Sequence, residues 1–370
     1  MAKHSKHIKL ERRTNGIHAP NEVALVGAKC SIIEQLVVDI SKNLEEFKLG
    51  YFDASHAKDK EVRKVDVYTF HHQGSCTIET QIPVNKFNQR IQFSQYDLMF
   101  VNGNHYPAQK HVVLLDPEKE ASIEKRIGQI NEVVAFVKVK PESKIFECLK
   151  SKFPNCMEIP VFEISEADKV SDILLKQLNE NIPPLKGLIL VGGKSTRMGT
   201  DKSVLDYHGQ AQRDFLQNLL KSQNITTYFS KRHDQALDEE HVINDTFLDL
   251  GPSGAISSAF REFPNSAFFV LATDLPFVDE TLIQRLIAER DPSKAITAVI
   301  GKGHDFGEPL VAIWEPKSYP LLLNYIAQGY SCPRKVLINS DVKLIEVDTN
   351  KIRNINTPEE FERVRKELNG

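Results

Sequence analysis

Cysteine is scarce and unpatterned in this chain. Five cysteines in 370 residues, at positions 30, 76, 148, 156 and 332, include no C-x-x-C pair. That spacing excludes the usual zinc sites and disulfide frameworks, so reduced thiols and a cytoplasmic setting are expected. No apolar run approaches the roughly 20 residues that a bilayer-spanning helix needs. The basic opening MAKHSKHIKLERRTNG is not followed by an apolar core, so no secretory leader is expected. Charge of one sign is missing as well. Lys and Arg number 47 against 50 Asp and Glu, for a net charge of -3. A general nucleic-acid or membrane binder is excluded on that ground. No repeat and no low-complexity tract is visible.

What is present is an ordinary globular composition, 41% hydrophobic and 26% charged. The length exceeds one typical domain. The stretch NENIPPLKG (179–187) joins polar residues to Pro183-Pro184, which cannot continue a helix. A boundary near residue 184 follows, with domains 1–183 and 184–370.

The second half alternates strand and helix signals. GLILVGG and AFFVLATD are short apolar runs of the type buried on both faces of a sheet. AITAVI, LVAIW and VKLIEVD read as further strands, and QRDFLQNLLKSQ, DETLIQRLIAER and SYPLLLNYIAQG as helices. Thr357, Pro358 and Glu360 spell the start of a last helix with a capping box. An α/β domain with a mainly parallel sheet is predicted, its ligands at the carboxyl ends of the strands.

LKGLILVGGKSTRMGTDKSVL (185–205) runs such a strand into Gly192 and Gly193, then Arg197 and Lys202. The glycines allow backbone N–H groups to approach a ligand, and the two cations suit phosphate oxygens. The alternative is a solvated glycine turn with surface basic residues. A Walker A loop is excluded, because the GxxxxGK[ST] spacing is missing. Asp274 ends its own apolar strand, either as a hard oxygen ligand for Mg²⁺ or as a cap for the next turn.

The whole string LxGGxSxRMGxDK, carried by Leu190, Gly192, Gly193, Ser195, Arg197, Met198, Gly199, Asp201 and Lys202, resembles the signature of the MobA-like nucleotidyltransferases. NDTFLDLGPSGAISSAF, FFVLATDLPFV, FGEPLVAIW and NINTPEEF resemble further motifs of that family, in the same order along 186–370. The resemblance implies a Rossmann-like sheet and transfer of GMP from GTP to the phosphate of molybdopterin, with Mg²⁺ and release of pyrophosphate. It implies Arg197, Lys202 and Asp274 as catalytic residues, Asp274 being the metal ligand. Leu190, Val191, Gly192, Gly193, Lys202, Ser230, Asp245 and Asp274 would hold the nucleotide, and Arg334, Asn354 and Asn356 the acceptor. Molybdoenzyme apoproteins or other cofactor-biosynthesis proteins are the implied partners. Val191 stands where the family has alanine, and its branched side chain is expected to crowd the loop. Ser230 replaces an asparagine. A transferase using CTP or a sugar-phosphate acceptor shares the same loop and aspartate, and a molybdopterin carrier or adaptor is the non-enzymatic alternative.

The first half resembles MobB, the P-loop GTP-binding partner of MobA, in degenerate form. GAKCS keeps Gly27, Lys29 and Ser31 without the GK[ST] geometry, and Asn102-Gly103 stands where that family has an acidic EG. A smaller α/β scaffold or adaptor domain is implied. His56, His71 and His72 show no metal-ligand spacing and read as surface histidines.

Overall fold

The computed structural model describes residues 9–14, 16–55, 66–72, 74–80, 85–192, 201–237 and 239–369. The chain divides into two compact units, Asn15–Asn181 and a second that joins Met1–Thr14 to Ile182–Gly370.

The first unit holds β1 (Glu22–Val26), β2 (Leu49–Phe52), β3 (Val67–Phe70), β4 (Cys76–Glu79), β5 (Leu98–Asn102), β6 (Lys110–Leu115), β7 (Glu132–Lys138) and β8 (Val161–Glu163). Six of these form one sheet in the order β2-β5-β1-β6-β7-β8, with every pairing parallel. β3 and β4 form a separate antiparallel hairpin, where the exposed His71 and His72 sit at the turn. His56 lies outside the described residues. The strand EVALV is buried along its whole length, as a central parallel strand covered on both faces must be. Gly27 then turns the chain at φ +103°, where a Cβ would lie 2.3 Å from the Leu114 carbonyl oxygen. The helix Cys30–Ser41 follows, and Ile33, Leu36, Val37 and Ile40 form its buried stripe.

The second unit holds β9 (Leu185–Leu190), β10 (Thr227–Lys231), β11 (Val242–Asn244), β12 (Ala267–Ala272), β13 (Ile296–Gly301), β14 (Glu308–Trp314) and β15 (Val342–Val347). Their order is β11-β10-β9-β12-β14-β13-β15. β14 runs antiparallel to both neighbours, and all other pairings are parallel. Period-2 alternation assigns the faces. Ile189, Phe269, Leu271, Val311 and Ile313 pack on one side with Leu216, Leu220, Ile283 and Leu286 from helices. Leu188, Phe268, Val270, Ala312 and Trp314 pack on the other with Ile256, Phe260 and Leu322. The last helix, Pro358–Asn369, begins on the expected capping box: Glu360 N donates to Thr357 Oγ1 at 3.3 Å, and Glu360 Oε2 accepts from the Asn356 and Thr357 amides. Among the described residues, no helix is long and apolar enough to cross a membrane.

One ion pair is built into this core. Arg290 Nε and Nη2 donate to Glu315 Oε1 and Oε2 at 2.6 and 2.9 Å, and Nη2 also donates to the Pro183 carbonyl at 2.8 Å. Glu315 is 1% exposed, and burial pushes its carboxyl above the usual range while Arg290 draws it back. Removing the guanidinium would leave a buried carboxylate without its partner. Arg290→Ala is expected to destabilise the second unit by about 3–5 kcal/mol, read as a lower urea midpoint at unchanged slope. A loss within about 0.5 kcal/mol, the range of ordinary surface substitutions, would show that the pair does not hold the unit together.

Candidate active site

Parallel strands deliver their carboxyl ends to a single sheet edge, and the second unit loads that edge with polar residues. β9 and β12 are neighbours with Leu190 opposite Ala272. Val191-Gly192 and Thr273-Asp274 therefore leave the sheet side by side, with Thr273 Oγ1 donating to the Leu190 carbonyl at 3.5 Å. β14 runs the other way, so its first residue reaches the same edge. Leu271 pairs with Val311, and continuing that register sets Asp274 opposite Glu308.

Each of these two acids has its own cation. Lys202 Nζ lies 3.6 Å from Asp274 Oδ2. Burial holds the Asp274 carboxyl above the usual range, and Lys202 opposes that shift. The lysine also donates to the Ile355 carbonyl and to Asn356 Oδ1, both at 2.8 Å. It sits at the head of the short turn Lys202–Val204, which Asp201 caps by accepting from Ser203 N at 2.9 Å. The Asp274 carbonyl accepts from Ile355 N at 2.9 Å, so the 355–356 stretch is tied to the same strand end. Burial likewise raises Glu308. The amide of Leu310 and the charge of Arg334 oppose that shift, and the negative charge of Asp274 adds to it. Arg334 Nη2 stands 3.4 Å from Glu308 Oε2. Glu308, Arg334 and Asn354 share a cavity of about 430 Å³ with His304 and Phe306.

The other side of β9 carries a second polar group. Ser230 Oγ donates to Asp245 Oδ1 at 2.6 Å. Burial raises the Asp245 carboxyl, while Ser230 and Arg232 act against that shift. The carbonyls of Val191 and Gly192 accept from Gln235 Nε2 at 3.0 Å and Arg232 Nη1 at 2.9 Å. Gly192 is pressed against this arm, for a Cβ there would come within 3.2 Å of the Arg232 amide nitrogen. The expectation about Val191 requires correction. Its side chain is 2% exposed and belongs to the hydrophobic core, in one cluster with Ile189 and Leu271.

Of the residues expected at the site, Lys202, Asp274 and Asn356 are directly joined, Arg334 and Asn354 line one cavity, and Ser230 and Asp245 are bonded beside Gly192. Gly193 and Arg197 lie outside the described residues, as do Ser195, Met198 and Gly199. Glu308, Arg232 and Gln235 were not expected. Glu308 stands in FGEPLVAIW, but only the reversed direction of β14 reveals that it faces Asp274. Arg232 and Gln235 follow β10 closely, and a polar cluster after a strand is a signal that the same edge rule could have used. Among the described residues, no group of three or more His, Cys, Asp or Glu is arranged to hold a metal ion.

Comparison with known proteins bears on the same half. Residues 187–343 match the family described as MobA-like NTP transferase domain. A molybdenum cofactor biosynthesis bifunctional protein of Synechocystis sp. is 31% identical over 183 residues, which are 48% of this chain and 53% of that protein. The chain thus spans about half the length of that relative. A probable molybdenum cofactor guanylyltransferase of Natranaerobius thermophilus is 29% identical over 50% of this chain and 96% of its own. Among solved structures, molybdopterin-guanine dinucleotide biosynthesis protein A from Archaeoglobus fulgidus aligns over 50% of this chain and 98% of its own, at 24% identity and a TM-score of 0.42.

Proposed function

We propose that the second unit is a Mg²⁺-dependent guanylyltransferase, moving GMP from GTP to the terminal phosphate of molybdopterin with release of pyrophosphate. The observation that carries this reading is the Lys202–Asp274 pair at 3.6 Å, set at the strand end beside Gly192 inside a MobA-like domain. Relatives named as molybdenum cofactor guanylyltransferases support the choice of nucleotide and acceptor.

The residues present suit a magnesium ion. Mg²⁺ is commonly held by one or two carboxylates, with phosphate oxygens and waters completing its shell. Asp274 supplies such a carboxylate. Its raised carboxyl, balanced by one lysine at 3.6 Å, is an acid with favourable energy still to gain from a further positive charge. When bound, the ion would neutralise negative charge on the polyphosphate.

The chain's own residues then account for alignment and charge. A phosphate oxygen of the acceptor forms a bond to the α-phosphorus of GTP, the bridging bond to the β-phosphate breaks, and pyrophosphate leaves with the electron pair. The attacking phosphate is already ionised, so no strong base is required. Lys202 has an ammonium to offer the departing phosphates, and its contacts with Asn356 and the Ile355 carbonyl keep it extended toward them. On one flank Ser230 and Asp245 are placed for the nucleoside. On the other, Arg334 and Asn354 present a guanidinium and an amide from the 430 Å³ cavity to the acceptor.

Asp274→Ala is expected to abolish Mg²⁺-dependent pyrophosphate release while the melting curve of the chain stays cooperative. Turnover within a factor of about three of the parent would remove Asp274 from its role. Incubating the full chain with molybdopterin and labelled GTP, CTP or UTP should yield only the guanine dinucleotide by mass, and chelation should stop the reaction until Mg²⁺ is restored. A cytosine product would overturn the nucleotide assignment. Arg334→Ala should raise KM for the acceptor more than for GTP, because truncation removes one charged contact worth about 1.5–3 kcal/mol. An effect on GTP alone would place Arg334 on the wrong flank.

A further inference from the structure

The first unit also gathers chemistry at the carboxyl edge of its sheet, and the transferase reading does not use it. Cys30 is the first residue of the twelve-residue helix Cys30–Ser41, whose first turn contains no acid. A thiolate there faces the positive end of the helix dipole. His105 Nε2, from the loop after β5, lies 3.4 Å from Cys30 Sγ. The same ring nitrogen stands 3.7 Å from Oδ1 of Asp53, just beyond β2. Asn104 Nδ2 approaches the sulfur at 3.9 Å while donating to the Ala28 carbonyl. Tyr51 donates its hydroxyl proton to Asp53 Oδ2 at 2.9 Å. Burial alone would raise Asp53, but hydrogen bonding from Asn102, the Ala54 amide and Tyr51, with the charge of His105, leaves its carboxyl below the usual range.

One further buried polar group stands beside this cluster. Asn102 is wholly buried at the end of β5, and its amide nitrogen makes no well-formed hydrogen bond. It lies against both Asp53 and Tyr51, whose ionisation it influences. Tyr51 also senses the charge of Cys30. A buried donor held only by such loose contacts beside a Cys–His–Asp cluster is placed to serve an oxygen atom that arrives with a ligand.

We propose that Cys30, His105 and Asp53 form a nucleophilic thiol site that reacts with small hydroperoxides. His105 takes the thiol proton, and Asp53 stabilises the resulting imidazolium. The sulfur attacks one peroxide oxygen, so an S–O bond forms and the O–O bond breaks. The departing hydroxide takes the proton back from His105 and leaves as water. Sulfur loses two electrons, the peroxide gains them, and Cys30 becomes a sulfenic acid. Cys30 is partly exposed, so a small electrophile reaches it.

The test exposes the full chain to hydrogen peroxide, traps sulfenic acid with dimedone and quantifies each cysteine by peptide mass spectrometry. Cys76 and Cys332 are more exposed than Cys30 and serve as internal references. Cys30 is expected to label at least about tenfold faster than either. His105→Gln should reduce that rate by about 100-fold, the low end of what a positioned acid–base contributes, with an unchanged melting temperature. Asp53→Asn should reduce it less. Labelling of Cys30 no faster than of Cys332 overturns the proposal, as does a folded His105→Gln chain that labels at the parent rate. Should His105→Gln fail to fold, the order of rates among the parent cysteines decides alone.

Discussion

A carboxylate half-buried at the end of a strand draws its counter-charge from elsewhere in the chain, and Lys202 reaching Asp274 is that contact here. The distance of 3.6 Å understates its structural role. Through the same ammonium, the turn after the glycine loop is tied to the Ile355 carbonyl and Asn356, and through its own carbonyl Asp274 is tied to Ile355 again. Three segments far apart in sequence are thus fixed around one acid. Parting a half-buried carboxylate from its cation costs free energy, so the arrangement resists drift. The cation is thereby fixed at the carboxyl end of β12.

The single reversed strand of the sheet adds the second acid. Had β14 run parallel to β12, Glu308 would have emerged at the opposite edge, away from Asp274. Antiparallel pairing instead sets the two acids face to face, and the negative charge of Asp274 makes Glu308 harder to ionise. Arg334 and Lys202 answer that repulsion from two sides. The result is an edge of alternating charge, open toward the cavity that holds Asn354 and Arg334.

Much of this architecture is legible from apolar patterning. Runs such as AFFVLA and EVALV can be hidden only as central strands, and both are wholly buried. The capping box at Thr357–Glu360 is equally readable, because its hydrogen bonds are local. Strand direction is not local. LVAIW looks the same read for a parallel or an antiparallel neighbour, which is why Glu308 carries no visible role until β14 is paired. Val191 shows the opposite limit. Its branched side chain looks like an obstacle to the loop, but alternation along β9 turns it into the core. The bond between Ser230 and Asp245 spans 15 residues and depends on β10 and β11 lying in register. Spacing alone does not reveal it.

The first unit runs a central strand through a glycine turn into a helix, and its GAKCS junction lacks the GK[ST] spacing of a Walker A loop. Lys29 keeps the residue type of a phosphate-binding lysine but stands at the N-cap of the helix, and its ammonium lies 3.7 Å from Glu118 Oε2 at the surface. A cation engaged there is not aimed over the helix N-terminus. The residue that takes the first helical position is Cys30, and parallel pairing of β1, β2 and β5 brings Asp53 and His105 to it. Strand topology goes on collecting polar side chains at this edge whatever the loop sequence has become. The positive end of the helix dipole, which would favour a phosphate, favours a thiolate equally well. The fold therefore supplies an electrostatic site at this edge, and the chemistry it supports is set by the nucleophile or anion that stands there.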